Sequence, residues 1–240
     1  MRVRIEQRDE YSLPCKIADL SSTDGLTPWM RRWLDHDADE IHRALSAEWA
    51  GVRHPSVRGI CDVALKYHPF ALAHHKGRWY LALKHPDKER MPVAGTLYFE
   101  SPLDPAVLEK CLADHDLASH DVMREFYTYF NGLREMTGHS GNFERPAEWS
   151  SLRSIGWNEN EFEDEFLSFS KEWLDDIIVY TTLVGDMVLL KADGRTAWVL
   201  HEEHRIAPLA PSFSGFLDVC TKEFDRYFGL DYYHLSQEET

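Results

Sequence analysis

The sequence predicts an α+β fold in which an antiparallel or mixed β-sheet meander is flanked by helices. Helices are indicated where a capping residue precedes apolar positions at helical spacing, as at Asp37 and Asp104. Strands are indicated by short β-branched and aromatic runs separated by turn dipeptides, of which Asp193-Gly194 is the clearest. Strands that follow one another through such short turns pair antiparallel, so helices and a meander together give this fold class.

The first hundred residues predict helices followed by a small meander. Thr27-Pro28 begins one helix, and Asp37 with Glu40 forms a capping box that begins the next. The inner face of this second helix carries the apolar residues at 41, 45 and 49. After Pro55, short apolar segments separated by His-Pro or Lys-Gly turns are expected to be extended: 57–67, 70–73, 78–83 and 93–99.

The remainder predicts two helices, a long loop, a three-stranded meander and a last helix. Asp104 and Pro105 begin a helix that runs to about His115, and a second helix begins near residue 119 and ends at Asn131-Gly132. The glycines between 132 and 160 indicate a loop, and 159–169 fits either loop or helix. Strands follow at 177–182, 187–190 and 195–200, with a type I′ turn expected at Asp193-Gly194, and the last helix starts after Pro211-Ser212.

The charge is concentrated in one part of the chain. The 240 residues hold 41 acidic and 26 basic residues, a formal net charge of −15. Residues 1–100 hold 15 basic and 14 acidic residues, whereas residues 101–240 hold 11 and 27. This balance argues against direct nucleic-acid binding or an anionic membrane surface, because both need clustered Lys and Arg. The acidity either maintains solubility or attracts a basic partner.

The four cysteines predict reduced thiols. Cys15, Cys61, Cys111 and Cys220 lie far apart, with no Cys-x-x-Cys pair. The chain opens without an apolar run that could serve as a signal peptide, and no stretch approaches the ~18 apolar residues of a membrane span. Cytoplasmic localisation is therefore expected.

Catalytic and cofactor motifs are weak. His201 and His204 stand three residues apart, whereas a zinc-protease helix needs histidines four apart, so no metal is expected. The sequence 138–142 fails the last glycine of a nucleophile elbow, and it also lacks the flanking strand and helix. No phosphate-binding glycine loop is present, so no cofactor and no enzyme activity are expected. A hydrolase or metalloenzyme that uses His201 and His204 with nearby carboxylates remains the alternative.

Acidic residues around the hairpins are the candidate binding residues. They combine with aromatic side chains, which suits a docking surface with aromatic anchors and charge that steers a basic partner. A solvated acidic rim and a general acid–base pair are the other interpretations. The candidates are Trp157, Glu159, Glu161, Glu163, Asp164, Glu165, Asp175, Asp176, Glu202 and Glu203.

The order of several motifs resembles the SUKH superfamily, which includes bacterial immunity proteins and yeast cell-wall regulators. The motifs are an aromatic helix ending Phe130-Asn131-Gly132, a strand turn with Gly185-Asp186, and a last helix with Ser212-Phe213-Ser214-Gly215-Phe216-Leu217. The resemblance covers about residues 101–235 and assigns structural roles. Gly132 closes a helix, Gly185 permits a tight turn, and the residues that plug the sheet are Phe213, Phe216 and Leu217.

The resemblance implies a non-catalytic protein that binds another protein. Bacterial members of the family neutralise a toxin, often a nuclease, inside the cell that produces it. Such a partner carries a basic cleft, which suits the acidic second half of this chain. A regulatory scaffold of the same fold with another partner is the remaining hypothesis. Residues 1–100 are either a separate subdomain or an elaborated start of the SUKH-like domain 101–240.

Overall fold

The computed structural model describes residues 4–7, 15–17, 25–34, 36–75, 78–85, 96–136, 141–158, 160, 162, 167–182 and 184–226. Their helices are α1 (Pro28–Arg31), α2 (Ala38–Trp49), α3 (Pro55–Ala64), α4 (Pro105–Asp114), α5 (Asp121–Tyr129), α6 (Leu167–Lys171) and α7 (Phe213–Arg226). Their strands are β1 (Arg4–Gln7), β2 (Cys15–Ile17), β3 (His68–His75), β4 (Arg78–Lys84), β5 (Thr96–Phe99), β6 (Leu133–Met136), β7 (Gly141–Phe143), β8 (Ile177–Thr182), β9 (Met187–Leu190), β10 (Thr196–Leu200) and β11 (Arg205–Ala210).

The strands of the described residues form one open sheet, in the order β11-β10-β9-β8-β7-β6-β5-β4-β3-β1-β2. Neighbouring strands run antiparallel, except that β1 and β3 run parallel. The sheet continues across residue 100, because β5 pairs with β6. The α+β class and the antiparallel or mixed sheet are thus confirmed.

The main core lies between one face of the sheet and the helices. Helix α3 packs against α7, and the Tyr67 hydroxyl donates a hydrogen bond to the Phe224 carbonyl at 3.1 Å. Aromatic rings fill the centre, with the Phe143 ring centroid 4.8 Å from that of Phe126 and 5.6 Å from that of Phe216. Four residues of the motifs noted in the sequence are buried here: Phe130, directly after α5, and Phe213, Phe216 and Leu217 in α7.

The opposite face of the sheet, here called the second face, carries two separate apolar groups. At β8–β11 it is covered by the segment around Leu152, Phe162 and Trp173, which packs on residues such as Met187 and Val199. At β3–β5 a smaller buried group contains Tyr80, Tyr98 and three alanines. Between these two groups the central strands present polar side chains, because alternate residues of a strand point to opposite faces.

Local signals predicted most helices correctly. Asp37 and Glu40 form the expected capping box, and the Asp104 side chain accepts hydrogen bonds at the start of α4 from the amides of Ala106 and Val107. The strand expected over 57–67 is wrong, since residues 55–64 form α3 with the side chain of His54 as its N-cap. Its buried positions Val57, Ile60, Cys61 and Ala64 follow helical spacing.

Three further expectations need correction. The segment 132–160 is more than a loop, because it contributes β6 and β7 to the middle of the sheet. The turn at Asp193-Gly194 forms, but it is not type I′, since of its two central residues Gly194 alone has a positive φ, +94°. Gly132 does not end α5 in a left-handed conformation, because α5 ends at Tyr129 and Gly132 is absent from the positive-φ glycines.

Within the described part of the chain, no helix is both long enough and apolar enough to cross a membrane.

Candidate functional site

An exposed aromatic and imidazole surface lies beside the turns β8–β9 and β10–β11. The ring centroid of Trp157 is 5.9 Å from that of His201 and 6.3 Å from that of His204. Both imidazoles are exposed, and Trp157 is half-buried. Val184, in the adjacent turn, exposes 57% of its surface. These four residues, Trp157, Val184, His201 and His204, are called the Trp157 patch below.

Backbone geometry holds the patch in place. Gly185 has a φ of +97°, which permits the β8–β9 turn, and a Cβ at this position would lie 3.3 Å from the His201 ring. The Asp186 carboxylate accepts a hydrogen bond from the His201 backbone amide at 2.9 Å. The motif Gly185-Asp186 therefore fixes the neighbouring turn that carries both histidines. His204 itself has a φ of +48°, so the chain reverses sharply there.

Trp157 is anchored on its inner side. Its amide donates to the Leu152 carbonyl at 3.0 Å, directly after Gly156 with a φ of +101°. Its ring centroid lies 5.6 Å from that of Phe162, which is 5% exposed and belongs to the second-face core. The ring is therefore supported from behind by packing. Such a supported ring beside exposed imidazoles can stack on a planar or cationic side chain.

The predicted pair Asp175 and Asp176 does not act as a unit. Asp175 is exposed and pairs with Arg153 at 2.7 Å, and this hydrogen bond lowers the pKa of the carboxyl. Asp176 is half-buried and pairs with Lys191 at 3.0 Å, yet burial raises its pKa. Each carboxylate already has its own cation. Their charges are therefore neutralised locally and contribute little to attracting a partner.

The remaining predicted acids fall into two groups. Glu203 pairs with Arg205 at 2.7 Å, whereas Glu202 is exposed next to His201 and makes no ion pair with the described residues. Five others lie outside the described residues: Glu159, Glu161, Glu163, Asp164 and Glu165. They lie within eight residues after Trp157 in the sequence.

His201 and His204 both lie near the indole ring of Trp157. Of the arrangements in the structure, this one bears most directly on the metalloenzyme hypothesis. The described residues, however, contain no group of three or more His, Cys, Asp or Glu side chains that could hold a metal ion. A catalytic zinc needs three protein ligands. The described residues by themselves therefore do not supply such a site.

Sequence reasoning missed a chain of alternating charges at one end of the central strands. Arg145 pairs with Glu100 and, at 3.4 Å, with Glu148, and Glu148 pairs with Arg78 at 2.5 Å. The Glu100 side chain is 10% exposed and that of Arg145 is 18% exposed. A Cβ at Gly132 would lie 3.1 Å from Glu100 Oε1, so this glycine makes room for the Glu100–Arg145 pair. No local signal connects residues this far apart in sequence.

Comparison with protein-family models, with curated proteins and with solved structures finds no match to this chain.

Proposed function

We propose that this chain is a non-catalytic binding protein that captures a basic protein partner through the Trp157 patch and the acidic residues that follow it. The single observation that carries the proposal is the half-buried ring of Trp157, supported from behind by Phe162 and flanked by exposed His201 and His204. Interfaces derive most of their binding energy from a few aromatic anchors of this kind.

Charge supports a basic partner. The chain carries a formal charge of −15, and the excess lies in residues 101–240, which also form the patch. A long-range field of one sign raises the association rate of an oppositely charged protein. Because Asp175, Asp176 and Glu203 are paired internally, Glu202 is the carboxylate among the described candidates that remains for a partner. The acidic residues at 159, 161 and 163–165 follow Trp157 in the sequence and lie outside the described residues.

The partner class we propose is a toxin with a basic, nuclease-like cleft, which this chain would neutralise as an immunity protein. The resemblance of residues 101–235 to SUKH proteins supports this class and stays a prediction. An acidic protein can occupy a cleft that normally holds phosphate, because both present negative charge to the same basic residues. The test below also covers a regulatory scaffold with another partner.

The experiment first identifies the product of the neighbouring gene and, where it carries a toxin-like domain, purifies that domain with an inactivating substitution. Association and dissociation rates are measured at low and at high salt. Val184→Asp places a charge inside the patch, and Val107→Asp is its matched control on exposed α4, where Val107 is 42% exposed. We expect V184D to raise the dissociation rate about tenfold or more and V107D to leave it within about twofold.

A second pair of substitutions tests steering. Replacing Glu163 and Asp164 together by Gln and Asn is expected to slow association, and the effect should shrink in high salt, since screening weakens charge attraction. Association that is indifferent to salt contradicts the electrostatic part. Equal effects of V184D and V107D contradict the patch. If the product of the neighbouring gene does not bind this chain at all, the immunity role is contradicted and the regulatory-scaffold hypothesis remains.

A further inference from the structure

A tryptophan in the first part of the chain shows how an indole of this protein binds arginine at an exposed position. The Arg32 guanidinium carbon lies 4.0 Å from the centroid of the Trp33 ring. The same guanidinium pairs with the Glu48 carboxylate, which also accepts a hydrogen bond from the Trp29 indole N–H at 3.1 Å. The Arg32 side chain is 41% exposed, so the guanidinium stacks and forms its ion pair at a place that water reaches.

Trp173 carries the corresponding arrangement with lysine, at a more buried position. The Lys191 ammonium lies 4.5 Å from the Trp173 ring centroid and pairs with Asp176 at 3.0 Å. Its side chain is 14% exposed. An ammonium is a strongly hydrated point charge, whereas a guanidinium is planar and weakly hydrated, so arginine is the cation better suited to stack on a ring in contact with solvent. The two sites in this chain fit that difference.

The Trp157 patch presents an indole and a carboxylate at an exposed position. Trp157 is half-buried, and Glu202 is exposed in the turn that carries both histidines of the patch. Among the described residues, no Lys or Arg side chain lies over the Trp157 ring. The undescribed residues nearest to it in sequence or across the adjacent turn include no Lys or Arg either: 159, 161, 163–166 and 183. A partner can therefore supply the cation that Arg32 supplies at Trp33.

We propose that the Trp157 patch recognises an arginine side chain of the partner, stacked on the exposed side of the Trp157 ring and paired with Glu202. This inference rests on the proposed function and names the side chain through which the basic partner is bound. Phe162 packs on the inner side of the indole, so the guanidinium approaches from the turn. A guanidinium can stack on a ring and direct N–H groups to a carboxylate in its own plane at the same time. The patch should therefore prefer arginine to lysine.

The first test needs no partner. N-acetyl-arginine amide is titrated into the full chain at constant ionic strength, and the indole N–H signal of Trp157 is followed by NMR, identified by its absence in Trp157→Leu. We expect a saturable shift, with N-acetyl-lysine amide binding about threefold more weakly or worse. Glu202→Gln should weaken arginine binding about threefold. Asp62→Asn removes an exposed carboxylate of α3 and is the charge-matched control, expected to change binding by less than about 1.5-fold.

A Trp157 signal that responds to neither probe, or equally to both, overturns the inference. Equal weakening by E202Q and D62N also overturns it, because the effect then comes from the net charge of the chain.

The second test uses the partner domain of the experiments above. Each of its surface arginines is replaced by lysine, which keeps the charge and removes the planar fork. One such replacement should raise the dissociation constant about fivefold or more, and the others should stay within about twofold. If V184D weakens binding of the domain but no replacement does, arginine recognition is wrong and the proposed function stands. If the arginine probe binds at Trp157 while V184D leaves binding of the domain unchanged, the proposed function is contradicted and arginine recognition stands.

Discussion

The buried ion pair between Glu100 and Arg145 predicts an unequal response to removing either partner. Arg145→Gln leaves the Glu100 carboxylate, with a side chain only 10% exposed, without its cation. Glu100→Gln leaves Arg145 with Glu148 at 3.4 Å, so less charge is stranded. Removing one partner of a buried pair costs about 3 to 5 kcal/mol. We expect R145Q to approach this range and E100Q to cost about 1 to 2 kcal/mol.

The measurement is urea unfolding followed by circular dichroism. With an m value of about 2 to 3 kcal/mol/M, the loss in R145Q corresponds to a midpoint lower by about 1 to 2.5 M urea. Arg153→Gln is the control, because it breaks the exposed pair with Asp175 and should cost about 0 to 1 kcal/mol. The double variant E100Q/R145Q should recover part of the loss. If R145Q and R153Q lose the same stability, the reasoning from burial is refuted.

Three further predictions concern packing, capping and titration. Gly141→Ala should prevent the normal pairing of β7 with β8 and lower the free energy of unfolding by more than about 3 kcal/mol. The added Cβ would lie 1.8 Å from the Tyr180 hydroxyl oxygen and 2.2 Å from the ring carbon Cζ. Tyr180→Phe removes only the hydroxyl, so it should not restore the stability of Gly141→Ala. Asp104→Ala should cost about 1 kcal/mol in urea unfolding, since it removes the N-cap of α4. Glu144→Gln should change how stability depends on pH, because burial raises the pKa of this carboxyl above its ordinary value of 4.5 in the folded protein.

The sign of the Glu144 effect follows from proton release. As pH rises through 4.5, the unfolded chain loses this proton before the folded protein does, so the free energy of unfolding falls until the folded pKa is passed. The stability of E144Q minus that of wild type should therefore increase with pH in this window and then level off. Urea titrations from about pH 4 to about pH 7 measure it. A difference that is constant with pH contradicts the burial argument, and wild-type stability for G141A or Asp104→Ala contradicts the packing or the cap.

Sequence reasoning succeeded where the determinant is local. Asp37 and Glu40 meet three residues apart, so their capping box is visible in the sequence and is present in the structure. The strand predicted over 57–67 is wrong because apolar residues occupy so many positions there that the helical period of α3 is obscured. Strands β6 and β7 are not predicted because they are only four and three residues long and are defined by pairing with distant strands rather than by their own composition.

At the candidate site, too, the sequence predicts what depends on a residue itself and does not predict what depends on distant contacts. Trp157 was identified as an anchor from its own residue type, but its contact with His201 and His204 depends on the turn that Gly185 and Asp186 fix. The ion pair between Glu100 and Arg145 carries no signal in the sequence, because its two partners lie 45 residues apart. Tertiary register is therefore the information that the sequence pattern lacks.

The metal-site hypothesis and the docking-surface hypothesis give different roles to the same two side chains, His201 and His204. A metal would need His201 and His204 to direct ring nitrogens at a common point, together with a third ligand. A docking surface needs their ring faces beside Trp157, and the interplanar angle of 32° between Trp157 and His204 is suited to stacking. Zinc added to the protein would thus compete with the partner if both hypotheses held. Partner affinity that is unchanged by stoichiometric zinc, together with its loss in V184D, would assign the histidines to the docking surface.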